Sequence, residues 1–231
     1  MSFDSLILRR PSTAKLSPLL LAAGLFVGPL LLSTTTIADP AMLASADPGR
    51  VDAKQLKKCA KCHGDEGVSD DPEVPHLAGQ SAAYMYKQLQ DFKADAREGG
   101  RMNKTAKKLS DQEMADLVAL YAGKSLPEEA GVSVPDAPAL VSAGDAARGI
   151  DSCADCHGAD GRGKKDKYEA PALAGMPKLF FTTTMKAFRS GERANDADGV
   201  MGKAAKQLSD DEIASLAGYY LALGKRKALP E

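Results

Sequence analysis

The hydrophobic positions of this chain fall into helical stripes, and the stripes come in pairs. After Ser110, Met114, Leu117, Val118 and Tyr121 recur at i, i+3, i+4 and i+7; after Ser209, Ile213, Leu216, Ala217 and Tyr220 do the same. Each stripe opens with a capping box, Ser110 with Glu113 and Ser209 with Glu212, each cap worth about 1 kcal/mol. A second pair of helices is expected earlier in each half. Tyr84, Met85, Leu89 and Phe92 mark one, and Phe180, Phe181, Met185 and Phe188 the other. No stretch alternates apolar and polar residues as a strand would, so the pattern predicts an all-α protein.

The pairing extends to the loops. Cys59 to Gly64 matches Cys153 to Gly158, Pro75-His76-Leu77-Ala78-Gly79 matches Pro171-Ala172-Leu173-Ala174-Gly175, and the block from Met102 to Asp111 matches Met201 to Asp210. The offset grows from 94 to 96 to 99, as small loop insertions in a duplicated domain would produce. Pro127, Pro135 and Pro138, with Glu128, Glu129 and Asp136, mark a linker. The expected division is an N-terminal domain over 47–124, a linker over 125–141 and a C-terminal domain over 142–231.

One apolar run stands outside the repeat. Arg9, Arg10 and Lys15 precede Leu19 to Leu32, and Ala44-Ser45-Ala46 offers small residues for cleavage, so residues 1–46 read as an export signal with the mature chain starting near Asp47. A second cleavage point follows Ala38. The run from Leu19 to Ala38 is about long enough to span a bilayer uncleaved, which would allow a peripheral membrane association, although Pro29 and Ser33-Thr34-Thr35-Thr36 weaken it. Arg9-Arg10 suggests twin-arginine export, a route for folded cargo. General secretion to the periplasm fits the chemistry below better.

With 30 basic and 31 acidic side chains among 231 residues, the net charge is near zero and nothing points to nucleic acid. There is no tryptophan and few aromatics, so two domains of about 80 residues would have thin cores. The cysteines change that picture. All four are spent in Cys59-Ala60-Lys61-Cys62-His63 and Cys153-Ala154-Asp155-Cys156-His157, the c-type haem attachment signature twice over. Two thiols three residues apart share one face of a helical turn, where each can form a thioether to a haem vinyl group, and the adjacent imidazole can reach the iron. Two covalently bound haem c groups are expected, with His63 and His157 as metal ligands. A zinc ribbon would keep its pairs about fifteen to twenty residues apart, against the 90 between Cys62 and Cys153. A thioredoxin-like pair would need a βαβ context, and disulfides would need thiols that haem leaves none of.

A methionine at the sixth position would close each iron and raise its potential. Met85 pairs with Phe181, Met185 with Leu89 and Met114 with Ile213, so these three behave as core hydrophobes. Met176 pairs with Gln80 and reads as loop surface. Only Met102 and Met201 hold equivalent places, each in a polar, glycine-bearing loop with no stripe to join, and they are the expected axial ligands. Pro75 and Pro171 follow their histidines by 12 and 14 residues. Their carbonyls could accept the Nδ1 hydrogen of the ligating histidine. His76, replaced by Ala172 in the second half, reads as an ordinary loop residue. Lys57, Lys58 and Lys61, and Lys164, Lys165 and Lys167, flank the two motifs and could steer an acidic partner.

With the duplicated Cys-x-x-Cys-His, the Pro-x-Leu-Ala-Gly turn, the stretch from Tyr84 to Lys93 and the Met-x-x-x-Ala-x-x-Leu-Ser-Asp block, the chain resembles the dihaem cytochrome c4 family over roughly residues 50–224. The resemblance implies two tandem class I cytochrome c domains related by pseudo-two-fold symmetry, with haem propionates approaching each other at the interface. It also implies electron transfer, not catalysis, from the bc1 complex or another donor to a terminal oxidase. The second half departs from the pattern at Met176-Pro177-Lys178, where it lacks a counterpart of Gln80, so contacts there are expected to differ. A cytochrome subunit of a flavocytochrome c sulfide dehydrogenase, or of a similar dehydrogenase, is the alternative. An enzyme such as a dihaem peroxidase or thiosulfate dehydrogenase would need an open or unusual sixth position, which a methionine in both loops opposes. No flavin or nicotinamide fingerprint is present.

Overall fold

Short helices joined by long loops build each half of the computed structural model, which describes residues 40–127, 133–164 and 169–224. The apolar run and both of its flanks up to residue 39 lie outside the described residues, as do Glu128, Glu129, Lys165 and Lys167. The first half contains α1 (Pro40–Ala44), α2 (Ala53–His63), α3 (Ala82–Lys93), α4 (Arg101–Ala106) and α5 (Asp111–Ala122). In the second are α6 (Ala139–Ser142), α7 (Cys153–His157), α8 (Lys178–Ser190), α9 (Val200–Lys206) and α10 (Asp210–Leu223). Among the described residues there is no strand; two isolated bridges, Asp145 with Ile150 and Lys164 with Ala170, pin loops. No described helix is long and apolar enough to cross a membrane.

Both capping boxes form, Ser110 with Glu113 starting α5 and Ser209 with Glu212 starting α10. The stripes behind them are the cores. Met114, Leu117, Val118 and Tyr121 are buried with Met85 and Tyr86 of α3. Ile213, Leu216, Ala217 and Tyr220 are buried with Phe181, Met185 and Phe188 of α8. α3 thus packs on α4 and α5 as α8 packs on α9 and α10, so the two halves repeat one arrangement, as the paired stripes predict. Leu140 and Val141, within the stretch read as linker, are buried in the second core. α1 packs on α5 through Met42 and Leu43.

Two expectations fail here. Met102 and Met201 lie in the first turns of α4 and α9, not in loops. The stripe they join runs through Ala106 and Leu109, and through Ala205 and Leu208; its alanines, 0 % exposed, are too small to announce a core face in the sequence. Met176 is buried, not loop surface, because its turn packs on the end of α10, where Gly175 N donates to Tyr220 O at 2.8 Å.

Candidate functional site

Each Cys-x-x-Cys-His motif ends a helix, α2 or α7, and a glycine with positive φ, Gly64 or Gly158, turns the chain away from it. The loop that follows is fixed identically in the two halves. Gly67 O accepts Leu77 N at 2.8 Å and Ala78 N at 3.1 Å; Gly161 O accepts Leu173 N at 2.7 Å and Ala174 N at 2.9 Å. Glycine is required at Gly67, where φ is +76° and a Cβ would meet the Tyr121 ring at 2.7 Å. The turn then hangs on the terminal helix, Gly79 N donating to Tyr121 O at 3.1 Å as Gly175 N does to Tyr220 O.

This scaffold delivers the prolines to the histidines. His63 Nδ1 donates to Pro75 O at 3.0 Å, and His157 Nδ1 donates to Pro171 O at 2.9 Å. A histidine with Nδ1 committed in this way offers Nε2 to a metal and is oriented for it. Burial lowers the His63 pKa, against the opposing pull of the Pro75 carbonyl, and so favours the neutral ring a metal needs. His76 is a structural loop residue: its Nδ1 accepts Ser69 N at 3.0 Å.

None of the four cysteines is in a disulfide, and all are half-buried. Burial pushes the Cys59 and Cys153 thiols up, opposite to the depression that thiol redox chemistry uses. Among the described residues no three His, Cys, Asp or Glu side chains gather into a metal-holding group, so the two pairs do not meet as a zinc ribbon would require.

A fit test for haem comes from two residues that the sequence shows only as core. The hydroxyls of Tyr121 and Tyr220, at equivalent places on α5 and α10, are buried and have no hydrogen-bond partner among the described residues. A stranded buried hydroxyl costs about 1–3 kcal/mol. Burial pushes Tyr121 up to about 12, with the Cys59 thiol next in influence, and pushes Tyr220 higher still, with Cys153 next. Both orphaned hydroxyls thus stand beside the cysteines to which a macrocycle would be bonded, and the residues present fit that group. Cys59 and Cys62 would hold one haem, Cys153 and Cys156 the other. Met102 and Met201 are half-buried on the helices that follow, and Met201 touches the second core. Lys57, Lys58 and Lys61 are exposed around the first motif; Lys164 Nζ donates to Asp155 O at 2.7 Å beside the second.

The halves meet through the turns that hold the histidines. Gln80 Nε2 donates to Ala172 O at 3.0 Å, its Oε1 accepts Ala172 N at 2.8 Å, and Phe180 N donates to Pro72 O at 2.9 Å. The missing Gln80 counterpart noted in the sequence therefore marks a one-sided contact across the seam.

The family model described as Cytochrome c matches residues 51–120 and 141–223. A cytochrome c4 of Thiocapsa roseopersicina is 37% identical over 183 residues, covering 78% of this chain and 94% of that protein. A thiosulfate dehydrogenase electron acceptor of Stutzerimonas stutzeri is 35% identical over 175 residues, covering 73% and 80%. The crystal structure of reduced recombinant cytochrome c4 from Pseudomonas stutzeri superposes with a TM-score of 0.63 at 30% identity, covering 74% of this chain and 98% of that one.

Proposed function

The chain belongs to the dihaem cytochrome c4 family, and from that premise we propose that it is a periplasmic electron carrier between the bc1 complex, or another donor, and a terminal oxidase. It is an electron-transfer protein with two covalently bound haem c groups and redox proteins as partners. Haem supplies one-electron chemistry at iron; the protein holds, orients and encloses it. In this reading Cys59, Cys62, Cys153 and Cys156 carry the thioether bonds, His63 and His157 ligate iron while Pro75 and Pro171 fix them, and Met102 and Met201 close the sixth positions. The observation that carries the reading is the duplication of the whole arrangement, from the Nδ1 bond to the proline carbonyl to the orphaned tyrosine beside the first cysteine. An enzyme would need an open or unusual sixth position at an iron.

A second reading, a cytochrome paired with a dehydrogenase, is favoured by the relative named as a thiosulfate dehydrogenase electron acceptor; a flavocytochrome c sulfide dehydrogenase would be another such partner. Salt separates the two. A shuttle docks through a small, charge-steered contact, so electron transfer to a membrane oxidase should slow as ionic strength rises, and Lys58→Glu should slow it at low salt. Co-purification with a flavoprotein through a salt-resistant interface would favour the paired subunit instead.

A further inference from the structure

An Asp-x-x-Arg turn stands ahead of the Cys-x-x-Cys-His motif in each half, and the two turns are tied down differently. Asp47 opens the short 3-10 turn Pro48–Arg50, and Asp145 opens Ala146–Arg148. Each aspartate side chain accepts an amide of its own turn, Gly49 N at 2.8 Å and Arg148 N at 3.2 Å. In the second half the Asp145 N–H donates to a backbone carbonyl, Ile150 O, at 2.7 Å. In the first half the Asp47 N–H donates instead to a carboxylate, Asp116 Oδ1, at 2.8 Å. The repeat has Ser215 where α5 has Asp116, so this carboxylate belongs to the first half alone.

Asp116 is 4 % exposed. Arg50 Nε donates to its Oδ2 at 2.9 Å and Arg50 Nη2 to its Oδ1 at 2.7 Å, and Gln112 Nε2 reaches Oδ1 at 2.9 Å. The Arg50 fork first, against the cost of burial, then the Asp47 N–H and Gln112, hold the carboxyl well below the ordinary carboxylate range, so it is charged at neutral pH. Asp47 N is also the first amide after the small residues Ala44-Ser45-Ala46, of which Ala44 and Ser45 are exposed. The backbone nitrogen that cleavage there would turn into a cation thus points at a buried anion. What the departing segment gives up, Asp116 retains. Ser45 O accepts Arg50 Nη2 at 2.7 Å and Ser45 Oγ donates to Gln112 Oε1 at 3.3 Å, and both partners bond Asp116 as well. From α1 the core gives up the half-buried Met42 and Leu43. Two cations would then face two carboxylates, because Asp47 Oδ2 lies 3.9 Å from Arg50 Nη1.

We propose that the Ala46–Asp47 bond is the processing site of this chain and that Asp116 is the seat of the α-ammonium group it frees. Hydrolysis by an export peptidase breaks the C–N bond between Ala46 and Asp47. The hydroxyl of one water goes to the Ala46 carbonyl carbon and its hydrogen to Asp47 N; the proton lost by the new Ala46 acid completes the ammonium. An amide bond to a carboxylate becomes a buried, charge-assisted ion pair, which locks the new chain end onto α5 only after the leader has gone. The inference rests on the export reading.

The experiment uses protein exported and matured in a c-haem-competent bacterial host, as wild type, as Asp116→Asn and as Asp116→Ser, which carries the residue of the second half. Fragmentation mass spectrometry of the intact chain reads its first residue, and the α-amino group, labelled by reductive ¹³C-methylation, is titrated by NMR. The chain should begin at Asp47. In the wild type its α-amino group should hold its proton tenfold or more tightly than an ordinary one, titrating at least about one pH unit above the usual value of about 8, and both variants should return it toward that value. Either variant serves if the other does not mature, and the wild-type titration decides if neither does. A chain that begins at Asp47 with an α-amino group titrating at its ordinary value, or alike in wild type and variants, would overturn the seat. An exported chain that begins anywhere else, at Asp39 or with the apolar run retained, would overturn the proposal and leave export standing. A chain that is not exported would overturn the export reading and the proposal with it.

Discussion

One peptide unit joins the two halves chemically, and Gln80→Leu tests it. The amide between Pro171 and Ala172 gives its N–H to Gln80 Oε1 at 2.8 Å, while its carbonyl accepts His157 Nδ1 at 2.9 Å. A residue of the first half thus polarises the group that orients the histidine of the second. Gln80 is 5 % exposed, and leucine keeps most of its volume, so the change removes hydrogen bonds without opening a large cavity. Two bonds of Gln80 cross the seam, its Oε1 accepting Ala172 N–H and its Nε2 donating to Ala172 O. At a net value of about 1 kcal/mol each they contribute about 2 kcal/mol. In a body of about 150–250 residues that lowers Tm by roughly 4–8 °C. Loss of the acceptor for the Ala172 N–H leaves the Pro171 carbonyl a weaker acceptor, the imidazole less electron-rich and the second iron easier to reduce. Calorimetry and optical redox titration should show the lower Tm, a raised potential for the second haem and an unmoved first. An unchanged Tm, or a shift confined to the first haem, would refute the coupling.

Methionines should divide by role. Met114, 0 % exposed, should cost about 2–5 kcal/mol as alanine and leave the iron closed to carbon monoxide. Half-buried Met102 should cost less stability as alanine, yet open one iron and lower its potential. Arg148 holds Glu212 through a fork at 2.7 and 3.1 Å, and with Ser209 N–H it depresses the Glu212 pKa from 4.5 to about 2. A depressed carboxylate contributes stability above its unfolded value and loses it as pH falls. Urea unfolding should therefore show stability declining between pH 4.5 and 2 more steeply in the wild type than in Arg148→Gln, the two converging at the acid end.

What the sequence made legible was local. The stripes of α5 and α10, their capping boxes and the Cys-x-x-Cys-His turns are written within a dozen residues each, and all form. The bond from His63 to the Pro75 carbonyl is legible because the loop between them is short and its turn repeats. Alanines carry the buried face of α4 and α9 and give no hydrophobic signal, so the sequence pattern places Met102 and Met201 in loops. The burial of Met176 depends on α10, far along the chain, and so leaves no local signal. Gln80, Asp116 and the hydroxyls of Tyr121 and Tyr220 act across tertiary contacts. Gln80 has no counterpart in the repeat to hint at its role, and a stripe that explains a tyrosine ring leaves its hydroxyl unexplained.

The most direct test of an electron carrier with two enclosed irons is the carbon monoxide difference spectrum of the fully reduced, matured wild-type protein. Two irons each closed by histidine and methionine should give no spectral change on adding the gas. Carbon monoxide bound at both irons would contradict the carrier and favour an enzyme.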